Sequence, residues 1–462
     1  NVYVGGERVF VTTDRGASYR AISPDLTTND KTKQGPSGGP ITKDNTAVEY
    51  YCTIFTIAES PLMEGRIWTG SDDGLIHVTD DGGETWEDVT PPDMGDWPLI
   101  SLIEASPHDP DTAYAAVTRY KMDDDRPYVY RTTDRGETWE LLVRGIAEDD
   151  FVRSIREDPI VPGLLYIGTE SGVYYSLNNG RRWHELRMNL PHVPVTDVAV
   201  KNDDLVIATQ GRSFWIMDDL AVLRQIAEEK HGEFEPAMFE PAAAYRERWD
   251  GVRVHYHLPE AATGPITMAF SDEQGNELRA YDIELEKPDD EDDAAGDDEQ
   301  AEEEPDEQPG ELPEDPGEDR DSITAEPGMN VFEWNMRLED PTKVPGAVAW
   351  PPHPPGPRVP PGAYRVTLTV AGEPGGNGSA AEPTWQQTRS FEILPDPRYD
   401  TTPDQYAEQY DLLLEIHGAL DEAHTAVNEI REGRGQSDAA PARAEQAGRS
   451  SPLPRTADAL RE

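Results

Sequence analysis

Short runs of alternating apolar and polar residues, each closed by a turn signal, fill the first half of the chain. Ile54 to Pro61, Leu99 to Pro107 and Val152 to Pro159 alternate and stop at proline. A second run follows each of them (Arg66 to Thr69, Thr112 to Val117, Leu164 to Gly168), then a third (Leu75 to Thr79, Tyr128 to Thr132, Val173 to Ser176). A fourth begins at an aromatic residue (Trp86 to Val89, Trp139 to Val143, Trp183 to Leu186). Alternation of period two over so few residues predicts half-buried strands. Four short antiparallel strands per unit make a β-propeller blade. A fifth unit, Val195 to Asp218, keeps the strand pattern, whereas the first unit holds only its later strands. About five blades are therefore expected within residues 1–224, with N-terminal blades outside this sequence.

One phrase recurs between the third and fourth strands. It reads Thr12-x-Asp14-x-Gly16-x-Ser18-Tyr19, Thr79-x-Asp81-x-Gly83-x-Thr85-Trp86, Thr132-x-Asp134-x-Gly136-x-Thr138-Trp139 and Ser176-x-Asn178-x-Gly180-x-Arg182-Trp183. An Asp or Asn side chain accepts backbone N–H bonds within its own turn, and Gly supplies positive φ without steric cost. The hydroxyl residue adds a second local bond, and the Trp or Tyr fills the gap to a neighbouring unit. These residues are read as turn staples, not as chemistry.

The pattern changes after residue 224. Residues 225–250, with Pro236 and Pro241, read as a connector. Alternation resumes at Val252 to His257, Ile266 to Phe270 and Leu278 to Leu285, and again at Met329 to Arg337, Ala363 to Val370 and Trp385 to Leu394. An immunoglobulin-like β-sandwich over 251–395 is the expectation. It is interrupted at 287–321, where acidic residues dominate and apolar ones are scarce, a composition that cannot offset its own ordering entropy. Thr402-Pro403-Asp404-Gln405 is a capping-box start, and Leu412, Ile416, Ala419, Ala423, Ala426 and Ile430 trace one helical stripe. A C-terminal helix over 402–432 and a flexible tail over 433–462 follow from this reading.

Composition changes the picture in one respect. The chain carries 92 acidic and 40 basic residues for a net charge of −52, and only 8 of the basic residues are lysine. Acid spread through the repeats, as at Asp123-Asp124-Asp125, suits a protein of high salt, where screening removes self-repulsion. Nucleic acid is not an expected partner, because no basic stripe exists to neutralise phosphates. No stretch is apolar enough for membrane insertion. Cys52 is the only cysteine, so neither an intrachain disulfide nor a cysteine-based metal cluster can form, and no metal or cofactor is expected. The chain begins at Asn1 directly on a strand-like run, so the lack of a leader says nothing about secretion; an extracellular or cell-surface location is slightly favoured.

The four phrases resemble the Asp-box, or BNR repeat, of sialidases, sortilin-type receptors and xyloglucan-cleaving glycosidases. Over nearly its whole length the chain looks like large prokaryotic proteins labelled glycosyl hydrolase, BNR-repeat or sortilin-like. Segments similar to Glu49-Tyr50-Tyr51-Cys52-Thr53-Ile54, Arg126-Pro127-Tyr128-Val129-Tyr130 and Ala208-Thr209-Gln210-Gly211-Arg212-Ser213-Phe214-Trp215 recur in that group. The resemblance implies a propeller, a sandwich and C-terminal helices. One cysteine cannot build the disulfide-rich module of sortilin, and the sialidase set of three arginines, a Tyr–Glu pair and an acid is not found by motif. No catalytic residue is carried over.

Propeller geometry directs the search to the rim opposite the repeated turns. Loops entering the first strand, and those between the second and third, gather there. Among their acids, Glu49, Asp72, Asp73, Asp123, Asp150 and Glu170 are the catalytic candidates, since paired carboxylates can protonate a leaving oxygen and activate water. Tyr51, Trp97, Arg119, Tyr120, Arg126 and Arg212 are the ligand-binding candidates, rings for sugar faces and arginines for anions. The first expectation is a binding propeller for carbohydrate or peptide; the alternative is a glycoside hydrolase using two channel-face carboxylates. Oligomeric state is not legible.

Overall fold

The computed structural model describes residues 1–36, 38, 42–43, 51–229, 236–246, 251–260, 262, 264–283, 323–345, 354–372 and 383–449, with side chains of the last helix described to Arg431. Two compact units divide the chain, Asn1–Lys230 and His231–Glu462. The acidic stretch 287–321 lies outside the described residues, as does Glu49.

The first unit is a β-propeller segment of five successive antiparallel sheets. Val2–Gly5 (β1), Val9–Thr12 (β2) and Arg20–Ala21 (β3) form the first. The second is Ile54–Glu59 (β4), Ile67–Ser71 (β5), Ile76–Thr79 (β6) and Glu87–Asp88 (β7). Leu99–Ala105 (β8), Ala113–Arg119 (β9), Asp124–Thr132 (β10) and Glu140–Leu141 (β11) make the third. Val152–Glu157 (β12), Leu165–Thr169 (β13), Val173–Ser176 (β14) and His184–Glu185 (β15) make the fourth, and Val195–Lys201 (β16), Asp204–Thr209 (β17) and Phe214–Met217 (β18) the fifth. Strands pair in chain order, and the first strands β4, β8, β12 and β16 lie side by side. Each of β4, β8, β12 and β16 carries a bulge near its start, which re-aims the chain at the rim.

The repeated phrase closes each third-to-fourth hairpin with the same bonds. Asp81 Oδ1 accepts Thr79 Oγ1–H at 2.8 Å and Thr85 N–H at 2.9 Å, while Oδ2 accepts Thr85 Oγ1–H at 2.6 Å. Asp14 and Asp134 repeat that set, and Asn178 does so with Arg182 N–H and Ser176 Oγ–H. The leading hydroxyl is a working part as well, accepting the N–H of Gly16, Gly83, Gly136 or Gly180 at 2.8–3.1 Å. These glycines have φ of +79 to +99°, and a Cβ on Gly83 would stand 2.4 Å from Ile22 O of the preceding blade. Each Trp then reaches the same neighbour: Trp86 Nε1–H donates to Ile22 O, Trp139 to Val89 O and Trp183 to Leu142 O, at 3.0, 2.7 and 2.9 Å. Turning toward the neighbour takes the Trp out of the ladder, so the fourth strands are two residues long and begin after it.

The expected connector, 225–250, contains regular elements. The helix Ala221–Glu229 (α1) follows the fifth sheet and buries Leu223, beside Leu220, in a core cluster shared by the fourth and fifth sheets. Its Arg224 donates from Nε to both oxygens of the fully buried Asp158, at 3.2 and 3.0 Å, and from Nη1 to Asp203 at 2.6 Å. Ala237–Met238 (β19) and Ala244–Tyr245 (β20) already belong to the second unit.

That unit is an immunoglobulin-like sandwich. Val252–Leu258 (β21), Ile266–Asp272 (β22), Glu277–Ile283 (β23), Gly328–Trp334 (β24), Gly362–Ala371 (β25) and Pro383–Leu394 (β26) form two sheets, ordered β19-β21-β24 and β20-β26-β25-β22-β23. β20 runs parallel to β26, and every other pair is antiparallel. Phe270 stacks on Trp334 at 4.3 Å between the sheets, and Tyr364 O–H donates to Pro360 O at 2.6 Å, a tyrosine corner at the start of β25. The helix Pro403–Arg449 (α2) opens on the reciprocal Thr402–Gln405 capping box. It runs past the expected end at residue 432, to Arg449.

Candidate functional site

Strands of a blade alternate in direction, so second-to-third turns open at the end opposite the repeated hairpins. There the loop before β4 presents Tyr51 and the loop before β8 presents Trp97, their rings stacked at 5.6 Å. Trp97 sits at φ +59°, a sparsely populated conformation for a large side chain, and is 44 % exposed. Lys33 Nζ lies 3.2 Å from the Trp97 ring centre. Tyr120, in the turn between β9 and β10, stacks on Phe151 at 5.1 Å, and Arg153 lies 5.0 Å over Phe151. Tyr51, Trp97 and Tyr120 face one small cleft, and Tyr51 and Trp97 also line a larger cavity of about 500 Å³ with Lys33, Asp73 and Asp88.

Asp72, Asp150 and Glu170 of this rim are engaged in structure, and Asp73 is so through one oxygen. Asp72 Oδ1 accepts Thr53 N–H at 2.8 Å, and burial raises its pKa. Asp73 Oδ2 accepts both N–H and Oγ1–H of Thr28 at 2.7 Å, while its buried Oδ1 has no hydrogen-bond partner among the described residues. Burial, then the charges of Asp73 and Asp72, push the Tyr51 phenol upward, so it stays protonated. Asp150 is buried on Thr169 Oγ1–H at 2.9 Å, Ser171 N–H at 3.0 Å and Ser171 Oγ–H. Glu170 pairs with Arg153 at 2.5 Å. Asp123 is an exposed left-handed residue ending a single 3-10 turn.

Two of the three candidate arginines meet one carboxylate that the sequence reading passed over. Asp124 accepts from Arg119 Nη1 at 2.7 Å, from Arg126 Nε and Nη2 at 2.8 and 2.9 Å, and from Tyr128 O–H at 2.9 Å. The Arg126 bonds, foremost, hold its carboxyl far below the usual range. Arg212 stands apart on an exposed turn, its Nη1 3.4 Å from Gly211 O.

A scan against protein-family models and a search of curated proteins both return no match. Solved structures do resemble parts of the chain. YCF48 from Cyanidioschyzon merolae is 19 % identical over 36 % of this chain and 53 % of its own, with a TM-score of 0.28. A GH74 xyloglucanase from Xanthomonas campestris is 11 % identical over 44 % and 35 %, at 0.29, and the GH74 enzyme of Niastella koreensis 13 % over 55 % and 34 %, at 0.33. The chain thus spans about half of the first and about a third of the other two.

A second cavity, of about 690 Å³, follows the first strands β4, β8, β12 and β16. Glu104 on β8 lines it, 3.5 Å from Arg156 Nη1, and Arg156 Nη2 reaches Asp197 at 3.1 Å. Burial raises the Glu104 carboxyl to about 7, against the partial opposition of Arg156. The loop-based search missed this residue because it sits within a strand. The available signal was one acid in the run Leu99-Ile-Ser-Leu-Ile-Glu-Ala105. Among the described residues no group of three His, Cys, Asp or Glu side chains could hold a metal ion, and no helix is long and apolar enough to cross a membrane. Cys52 is buried, its sulfur 3.6 Å from Thr28 Oγ1.

Proposed function

We propose that the chain is part of an Asp-box propeller of the binding kind, adapted to high salt, which recognises a carbohydrate or peptide on the rim carrying Tyr51, Trp97 and Tyr120. The exposed, positive-φ Trp97 stacked on Tyr51 carries this reading. Rings held out at strained backbone are typical of ligand surfaces. The neighbouring carboxylates support binding over hydrolysis, since Asp150, Glu170 and Asp124 are each committed to protein donors. One observation favours the alternative: a glutamic acid poised near neutrality in the channel, Glu104, has the pKa a glycosidic proton donor needs.

One experiment separates them. The full chain in molar KCl is probed with oligosaccharide and peptide panels and with chromogenic glycosides. Ligand retention that falls at least about tenfold in Trp97→Ala, without turnover, is the expected result, equivalent to roughly 1.4 kcal/mol or more. Glycoside turnover that disappears in Glu104→Gln would replace the binding reading with the hydrolase.

A further inference from the structure

Several half-buried or buried arginines of this acidic chain are held by carboxylates. Arg66 meets Asp80 and Asp111, Arg156 meets Glu104 and Asp197, and Arg224 meets Asp158 and Asp203. A cleft of about 540 Å³ in the second unit gathers arginines held in another way. Arg246 and Arg337 both line it, and among the described residues neither has a carboxylate within ion-pairing distance. Backbone carbonyls hold them instead. Arg246 donates from Nε to Val359 O at 2.7 Å and from Nη2 to Arg358 O at 3.3 Å and Gln409 Oε1 at 3.5 Å, and lies 5.1 Å from the Tyr406 ring centre, while Arg337 donates from Nη1 to Gly356 O at 2.7 Å. Asp340 acts on Arg337 through space, but its Oδ1 is occupied by Gly356 N–H at 2.8 Å.

Half-buried cations sharing one cleft, Arg246 and Arg337 with Arg358 beside them, are costly. Burial, and for Arg246 the repulsion of Arg337, disfavours the charged forms of both. A guanidinium nevertheless stays protonated and has five N–H donors, so these carbonyl bonds leave donors over. The planar fork suits carboxylate and phosphate. Pro354, Pro357, Leu413 and Leu420 supply apolar lining to the same cleft. We infer that this cleft, between α2 and the sandwich, is an oxyanion site that takes a small ligand whose carboxylate or phosphate is borne on an apolar group.

The test is calorimetric titration of the full chain at constant ionic strength with phenyl phosphate, benzoate, inorganic phosphate and phenol. Phenyl phosphate or benzoate should bind, phenol should not, and inorganic phosphate should bind more weakly than phenyl phosphate. Arg337→Gln should weaken binding at least tenfold. Because Arg337 also holds Gly356 O, Leu413→Glu provides a variant that touches no carbonyl clamp. It places a carboxylate in the cleft, and should abolish anion binding while raising the melting temperature. Absence of binding by the natural chain, or equal binding by both variants, would overturn the proposal. Binding that appears only after residues 287–321 are replaced by a neutral linker would also overturn it, since the chain's own acidic segment would then be the occupant.

Discussion

An aspartate at the tip of a repeated turn titrates abnormally because its charge is spent on local donors. Asp14 is held down to about 2, chiefly by Ser18, and Asp81 and Asp134 are lowered in the same way by Thr85 and Thr138. In an unfolded chain an aspartate titrates near 3.9. The folded pKa lies below the unfolded one, so this stabilisation is complete above about pH 4 and is lost as the pH falls toward 2. Asn178 shows that a neutral amide can hold the same turn, accepting Arg182 N–H at 2.9 Å. Asp81→Asn is therefore expected to fold, with a urea midpoint that falls less between pH 4 and pH 2 than that of the natural chain. Midpoints measured across that range for both proteins check it, and parallel curves would show that the charge of Asp81 does not matter. Asp81→Ala, which also loses the acceptor, should melt lower at every pH. This chemistry was legible in the sequence because donor, acceptor and glycine lie within five residues of one another.

Elements are joined by contacts that sequence periodicity does not encode. The four-strand units could be read because alternation is local, and the sandwich could be read for the same reason. The helix α1 could not, since nine residues with Arg224 in the middle resemble a linker. Its position is decided by Asp158, 66 residues earlier, whose buried carboxylate also accepts the N–H groups of Ile160 and Val161 at 2.9 Å. The Asp124 hub escaped for a related reason: only the fold of β9 against β10 brings Arg119 and Arg126 to one side chain. Breaking a buried pair by removing one partner leaves an uncompensated charge, at a cost of about 3–5 kcal/mol. Arg224→Ala should destabilise the first unit by that order, as read from chemical denaturation. Asp158→Asn in the same background should recover part of the loss. A cost no greater than that of an exposed ion pair, about 1 kcal/mol or less, would mean that the Arg224–Asp158 pair contributes little to holding α1 in place.

At the scale of the whole molecule, charge sets the conditions under which each unit stays folded. A net charge of −52 on 462 residues repels itself at low ionic strength, where the Debye length is on the order of 30 Å at 0.01 M. At 1 M it shrinks to about 3 Å, and only charges in direct contact still interact. The direct contacts are of the kind that survive such screening: Arg66 with Asp80, Arg119 with Asp124 and Arg224 with Asp158 are short and partly or wholly buried. Salt should therefore remove the long-range repulsion while leaving these pairs intact. The melting temperature of the full chain is expected to rise from 0.05 M to multimolar KCl, steeply at first and then levelling as the Debye length falls below the spacing of surface carboxylates. Sodium sulfate would strengthen apolar burial as well as screen. Agreement between KCl and sulfate at matched ionic strength therefore assigns the effect to charge, and a melting temperature indifferent to KCl would remove high-salt adaptation from the proposed function.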